Sequence, residues 1–250
     1  MRYIAALILF WLTQPEYSPS CVFAHNDYAG PEPFEAAYRL GVGFIEADIF
    51  LKDGELFVAH NRSDITSART LDALYLAPLA TRIRSNNGAA YPSGKLTTLT
   101  LMIDLKTDGA RTLPLLVRKL ESYPEIISCA TVFITLSGSV PDPATWKNYP
   151  SYLWFDGRPA IAYTADQLER IRLISASFRD YSAWNGRGNL SDIDKQKLSR
   201  VVEKVHALGK PLRFWATPDS EESWAALMEL NLDVINTDRP AGLIQFIGKK

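Results

Sequence analysis

Phe44-Ile45-Glu46-Ala47-Asp48-Ile49-Phe50-Leu51, followed at once by Lys52-Asp53-Gly54-Glu55, is the stretch from which the fold is read. Its period-two alternation makes a strand, with Glu46 and Asp48 on one face and Ile45, Ala47 and Ile49 packing the other. Asp53-Gly54 then signals a hairpin that folds Leu56-Phe57-Val58-Ala59-His60 back on that strand. A three-residue loop over 52–54, with Gly54 in the left-handed bulge position, is expected to set His60 opposite Glu46. A two-residue loop would set it opposite Ala47, facing away.

Outward from this stretch, short apolar, β-branched or aromatic runs recur at 22–25, 99–105, 130–136, 152–155, 173–177, 212–216 and 233–237. With 44–51 they make eight. Helical patterns fall between them at 33–40, 71–84, 110–122, 165–171, 192–208, 221–229 and 241–247. Pro33 suits a first helical turn, Gly41 and Gly209 suit helix ends, and Ser191-Asp192-Ile193-Asp194 heads a helix like a capping box. Eight strands alternating with helices imply a parallel sheet, and eight is the number that closes a barrel. The expectation is one α/β unit, a single (β/α)8 TIM barrel with irregular loops and an extra hairpin after the second strand. The segment 137–158 has no convincing helix, and 61–98 is a long connection with an extra one.

The chain has 250 residues, 47% hydrophobic and 22% charged, enough to bury a substantial core. A net charge of −1, with no block of like charge, excludes an electrostatic footprint for nucleic acid. Cys21 and Cys129 make neither a disulfide framework nor a thiolate metal site. Arg2 followed by the apolar run 3–12 is shorter than the about 20 residues that cross a bilayer. It suits a signal peptide over 1–20, export, and a mature domain over 21–250 without a transmembrane helix. Ser18-Pro19-Ser20-Cys21 also resembles a degenerate lipobox, making Cys21 a lipidation candidate. The composition leaves the oligomeric state open.

In such a barrel the chemistry collects at the carboxyl ends of the strands. The first run ends in Ala24-His25-Asn26-Asp27-Tyr28, and the third in Ile103-Asp104-Leu105-Lys106. Asn26, Glu46, Asp48 and Asp104 form an all-oxygen set, suited to Mg²⁺ or Ca²⁺ rather than zinc. Interior salt bridges with Lys106 and Arg213 would satisfy the same carboxylates, and the residues alone do not choose. His25 and His60, beside this cluster, point to acid–base work near neutral pH. His206 reads as a partly exposed helix position. Arg213 and Trp215 share a face of a late strand, with Arg158 nearby, as a pocket for a cationic or hydroxylated head group. For Trp215, core packing is the alternative. Asp238, before Pro240, reads as a helix cap.

In order, His25-Asn26, Glu46-x-Asp48, Asp53-Gly54, His60 and Asp104-x-Lys106 resemble the phosphatidylinositol-phospholipase-C-like phosphodiesterase superfamily. Its members include glycerophosphodiester phosphodiesterases, phosphatidylinositol phospholipases C and sphingomyelinase D toxins. The segments 24–28 and 44–60 are most similar to the group related to the yeast "altered inheritance of mitochondria" phosphodiesterase-like protein. Asp156-Gly157-Arg158, Arg213 to Pro218, and Ile235-Asn236-Thr237-Asp238 extend the resemblance over 22–246.

The resemblance implies cleavage of a phosphodiester, a small molecule or a phospholipid derivative, with one divalent cation. Carried over, His25 and His60 are the acid–base pair, with His25 the first base by analogy. Glu46, Asp48 and Asp104 are metal ligands, with Asn26 as in the eukaryotic phospholipases C. Lys106 neutralises phosphoryl charge. His25-Asn26-Asp27 stands where glycerophosphodiesterases have His-Arg-Gly, and Asp104 where they have Glu, so a reaction class is implied rather than one substrate. Two other classes remain to be weighed: an exported, non-catalytic ligand-binding barrel, and a glycoside hydrolase that uses two carboxylates and no metal.

Overall fold

The computed structural model describes residues 16–92 and 98–249. Nine strands form one sheet: β1 Val22–Ala24, β2 Phe44–Lys52, β3 Glu55–Val58, β4 Leu99–Leu105, β5 Val132–Gly138, β6 Leu153–Gly157, β7 Ile171–Ser177, β8 Leu212–Trp215 and β9 Val234–Thr237. β1 pairs in parallel with both β2 and β9, so eight strands close into a barrel. β3 is the extra strand, antiparallel on β2. Helices α1 Glu35–Leu40, α2 Ala77–Ser85, α3 Gly109–Glu121, α4 Pro124–Ile127, α5 Ala165–Glu169, α6 Asp192–His206 and α7 Glu221–Glu229 lie between strands, and α8 Pro240–Ile247 follows β9. The expected (β/α)8 architecture is what forms. The link from β5 to β6 carries only the 3-10 turn Pro143–Asn148.

Strand alternation positions the site. Phe44, Glu46 and Asp48 share the inward face of β2. Phe44 joins Phe23, Met102, Leu173 and Val234 in an apolar cluster inside the barrel, below the carboxylates. The opposite faces of the strands bury Ile45, Ala47, Leu101 and Ile103 in the larger core beneath the helices.

The hairpin differs from expectation. Lys52 pairs with Glu55, leaving a two-residue turn in which Asp53 and Gly54 both have positive φ, 49° and 77°. This is the primed turn whose twist matches antiparallel strands. Its register, Ile49 on Val58, puts Ala59 beside Asp48, and would carry His60 opposite Ala47 rather than Glu46. β3 ends at Val58, however, and the chain beyond it leaves the ladder. His60 still reaches the mouth, by a different route.

The apolar run 3–12 lies outside the described residues. Among those described, no helix is long and apolar enough to cross a membrane. Residues 17–20, ahead of the expected boundary, pack on the barrel: the Tyr17 hydroxyl donates to the carbonyls of Met228 and Leu232 (3.2 and 2.9 Å), and Gly43 N–H donates to Pro19 O (3.0 Å).

Candidate active site

At the carboxyl end of the barrel, Glu46 and Asp48 are buried, 6% and 2% exposed. β2 and β4 run in register, setting Asp104 beside Asp48. Lys106, just past β4, bridges them: its Nζ lies 2.9 Å from Asp48 Oδ2 and also contacts Asp104 Oδ2. Ser137 Oγ donates to Asp104 Oδ1 (2.8 Å). Arg213 lies inside the barrel with its guanidinium 3.9 Å from the Phe23 ring centre. Its Nε donates to Ser175 Oγ (3.1 Å), while Nη1 stands 3.7 Å from Glu46 Oε1 without a hydrogen bond. The interior salt bridges expected of Lys106 and Arg213 are therefore present.

The two histidines flank the carboxylate pair. His25 leaves the end of β1 with Nε2 3.6 Å from Glu46 Oε2, and His60 Nδ1 is 3.7 Å from Asp48 Oδ2. His25 Nδ1 lies 2.6 Å from Asp238 Oδ1. Burial opposes charge on this ring, but the Asp238 hydrogen bond and the Glu46 and Asp238 charges outweigh it and raise the His25 pKa. The His25 contact holds the Asp238 carboxyl below its usual range. Asp238 is thus more than a helix cap; the cap position of α8 is Arg239. Asp219 fixes Asp238 in turn. Its Oδ2 accepts from Asp238 N–H (2.9 Å), and its Oδ1 accepts from Trp224 Nε1 and Thr237 Oγ1 (2.9 and 2.7 Å).

Arg158 and Trp215 complete one wall. Arg158 Nη1 is 2.6 Å from the buried Asp156 Oδ2, a pairing that raises its pKa against the opposing effect of burial. Trp215 is 42% exposed at the rim, which excludes core packing. Lys106, Ser137, Arg158, Arg213 and Trp215 line a cavity of about 230 Å³ with His25 in its wall. His25 also borders a second, wider one of about 420 Å³ with Tyr28, Gly30 and His60. All ten expected site residues therefore gather at one mouth. His206 does not: it pairs with Asp233 at the end of α6 (2.8 Å).

Sequence reasoning passed over Tyr28, whose hydroxyl lies 2.6 Å from both Asn26 Oδ1 and Asp48 Oδ2. Its place in 24–28 was the available signal. One phenolic proton faces two acceptors there, and one lone pair is left unserved. Burial and the neighbouring Glu46 also push the Asp48 carboxyl up to about 6. A surplus of oxygen acceptors is what a hard cation relieves, so the donor set of Asn26, Glu46, Asp48 and Asp104 fits one chemically. As folded, the Lys106 ammonium fills the gap between Asp48 and Asp104. Among the described residues no group of three or more His, Cys, Asp or Glu is arranged to hold an ion. A cation bridging Asp48 and Asp104 would displace Lys106 from between them.

A family model described as the AIM6-like phosphodiesterase domain matches residues 13–126. The chain is 33% identical over 265 residues to an "Altered inheritance of mitochondria protein 6 homolog" from Arthroderma benhamiae, covering 88% of this chain and 81% of that protein. It is 25% identical to "Altered inheritance of mitochondria protein 6" from Lachancea thermotolerans, covering 87% of this chain and 63% of that one. Among solved structures, a glycerophosphodiester phosphodiesterase from Parabacteroides distasonis superposes with a TM-score of 0.59 at 13% identity, over 93% of this chain and 98% of its own. One from Agrobacterium tumefaciens gives 0.51 at 16%, over 91% and 97%. At such identities these two likenesses speak for the fold alone.

Proposed function

This chain belongs to the AIM6-like phosphodiesterase family, a class of phosphoric diester hydrolases, and on that premise we propose that it works by metal-dependent, two-histidine general acid–base catalysis. The observation that carries the reading is the placement of His25 and His60 on either side of the Glu46–Asp48 pair (3.6 and 3.7 Å). The glycosidase alternative needs neither histidine nor Lys106.

One Ca²⁺ or Mg²⁺ would be held by Glu46, Asp48 and Asp104 with Asn26, and would supply Lewis-acid stabilisation of charge on the phosphoryl oxygens. Lys106, released from Asp48, places its ammonium on that same charge. One histidine takes a proton from the attacking hydroxyl as its oxygen bonds to phosphorus. The other donates a proton to the leaving alkoxide as the P–O bond breaks. Where the substrate has a neighbouring hydroxyl, that group is the nucleophile and the product is a cyclic phosphate, which water then opens. The small cavity suits a head group of a glycerophosphodiester or phospholipid type. Its Lys106, Arg158 and Arg213 favour a hydroxylated group over a cationic one, with Trp215 against its face.

We also propose export of the protein, on the strength of the apolar run 3–12. The contacts of Tyr17 and Pro19 favour processing ahead of Tyr17, which leaves Cys21 inside the chain and unlipidated.

Hydrolysis of bis(p-nitrophenyl) phosphate and of a glycerophosphodiester panel, with Ca²⁺, Mg²⁺ or EDTA, tests the mechanism. Turnover is expected to need metal, and His25→Ala and His60→Ala each to lose at least about 10²-fold. Turnover that survives EDTA, or losses under about tenfold at both histidines, would overturn it.

A further inference from the structure

We infer that Tyr28 is a positioning residue, which holds the His60 ring at the mouth and fixes the proton of that ring on Nδ1. The inference rests on the acid–base role proposed above for His60. His60 itself is poorly held. It follows the end of β3, its side chain is 61% exposed, and its Nδ1 is 3.7 Å from Asp48, beyond hydrogen-bond reach. The Tyr28 hydroxyl, 3.1 Å from Nδ1, is its one hydrogen-bond contact among the described residues. Tyr28 is the opposite case, 3% exposed and tied down at every point. Its backbone lies in the 3-10 turn Asp27–Ala29, closed by Ala29 N–H to Asn26 O (2.8 Å), and Arg69 Nη2 donates to its carbonyl.

Proton counting gives the rest. A phenol is neutral at physiological pH and has one proton to donate. Of the two acceptors at 2.6 Å, the neutral amide oxygen Asn26 Oδ1 and the carboxylate oxygen Asp48 Oδ2, the carboxylate forms the stronger hydrogen bond and takes the proton. The phenolic oxygen then faces His60 Nδ1 with a lone pair, so Nδ1 carries the proton. Nε2 is left bare on the far side of the ring, as the nitrogen that exchanges protons with substrate. The tautomer of a histidine is set by the hydrogen bond its other nitrogen makes. Here a buried carboxylate sets it through a phenol, and without Tyr28 an exposed imidazole would divide between tautomers and orientations.

The test is nitrogen NMR of the full-length protein labelled with ¹⁵N-histidine, in EDTA at a pH where His60 is neutral. The chain has three histidines, so His60→Ala assigns the signal by its disappearance. The wild-type protein is expected to have His60 protonated on Nδ1. In Tyr28→Phe, which keeps the ring and loses the hydroxyl, the signal is expected to move toward the Nε2-protonated form. With metal present, kcat is expected to fall about 10- to 100-fold with KM within about twofold, as for loss of an outer partner of a site histidine. A purely packing role for Tyr28 would lower the melting temperature and leave the His60 signal in place. An Nε2-protonated His60 in the wild type, or an unmoved signal in Tyr28→Phe, overturns the inference. The wild-type spectrum decides even if Tyr28→Phe does not fold. If His60→Ala retains activity while the signal behaves as expected, the acid–base reading fails and the positioning contact stands.

Discussion

Gly138 ends β5 at φ +73°, in the left-handed region that side chains rarely adopt. A Cβ there would come within 2.5 Å of Asp104 Oδ1 and 2.6 Å of Leu105 O. Gly138→Ala therefore combines backbone strain of about 1–2 kcal/mol with a push on one of the cluster's carboxylates. We expect it to destabilise by about 2–5 kcal/mol in urea unfolding, since overpacking adds about 1–3 kcal/mol, and to cut turnover with it. Asp238→Asn should behave differently. It removes charge but little volume, so the melting temperature should stay within a few degrees while kcat falls about 10- to 100-fold, in the manner of histidine partners elsewhere. An Asp238→Asn enzyme of full activity would return that residue to the role of a plain loop aspartate.

Asp219 works between elements. It accepts hydrogen bonds from Trp224 on α7, Thr237 on β9 and the backbone N–H of Asp238, and so joins the loop after β8 to the end of β9, where the His25 partner follows. Asp219→Ala strands three donors, and hydrogen bonds to charged groups contribute about 1.5–3 kcal/mol each. A loss of about 3 kcal/mol or more in chemical denaturation is the expected outcome, together with lower kcat from a loosened Asp238; a loss under 1 kcal/mol would mean the loop is held elsewhere. The elements themselves were legible in the sequence, because each strand is a compact β-branched or aromatic run and the helices between them carry their own caps, Thr164 and Ser191 among them. The partnerships were less so. Asp53-Gly54 announced a turn, but whether two or three residues span it depends on backbone twist. Asp238 and Tyr28 looked idle because their partners, His25 and His60, are distant in sequence and only barrel closure brings them near. The site residues read from spacing on single strands, such as Glu46-x-Asp48, all proved to share one mouth.

For the whole molecule, the segment 17–20 forms part of the folded body. The Tyr17 hydroxyl proton, shared between the Met228 and Leu232 carbonyls, and the Gly43 N–H to Pro19 O bond contribute about 1 kcal/mol each. The Ser20 carbonyl lies so close to Gly43 that an added Cβ would sit 1.9 Å from it. A protein beginning at Cys21 should melt about 4–8 °C below one beginning at Tyr17, on a loss of about 2 kcal/mol; equal melting temperatures would show the strap to be dispensable and favour the boundary at Cys21.

β1 is three residues long and pairs with both β2 and β9, so the two ends of the chain meet across a single short strand. Nothing can close the barrel until Val234 to Thr237 has been made. A chain emerging from the ribosome can assemble most of its strands in order and still hold an open edge on each side, exposed to any strand-seeking neighbour. The closing step spans nearly the whole sequence, and pairings of such high contact order are in general the slow ones to form. On the proposed mechanism it also completes the site, because His25 just past the first strand and Asp238 just past the last come together in that same motion. A chain cut short before β9 would lack both the strand that pairs with the free edge of β1 and the Asp238 partner of His25.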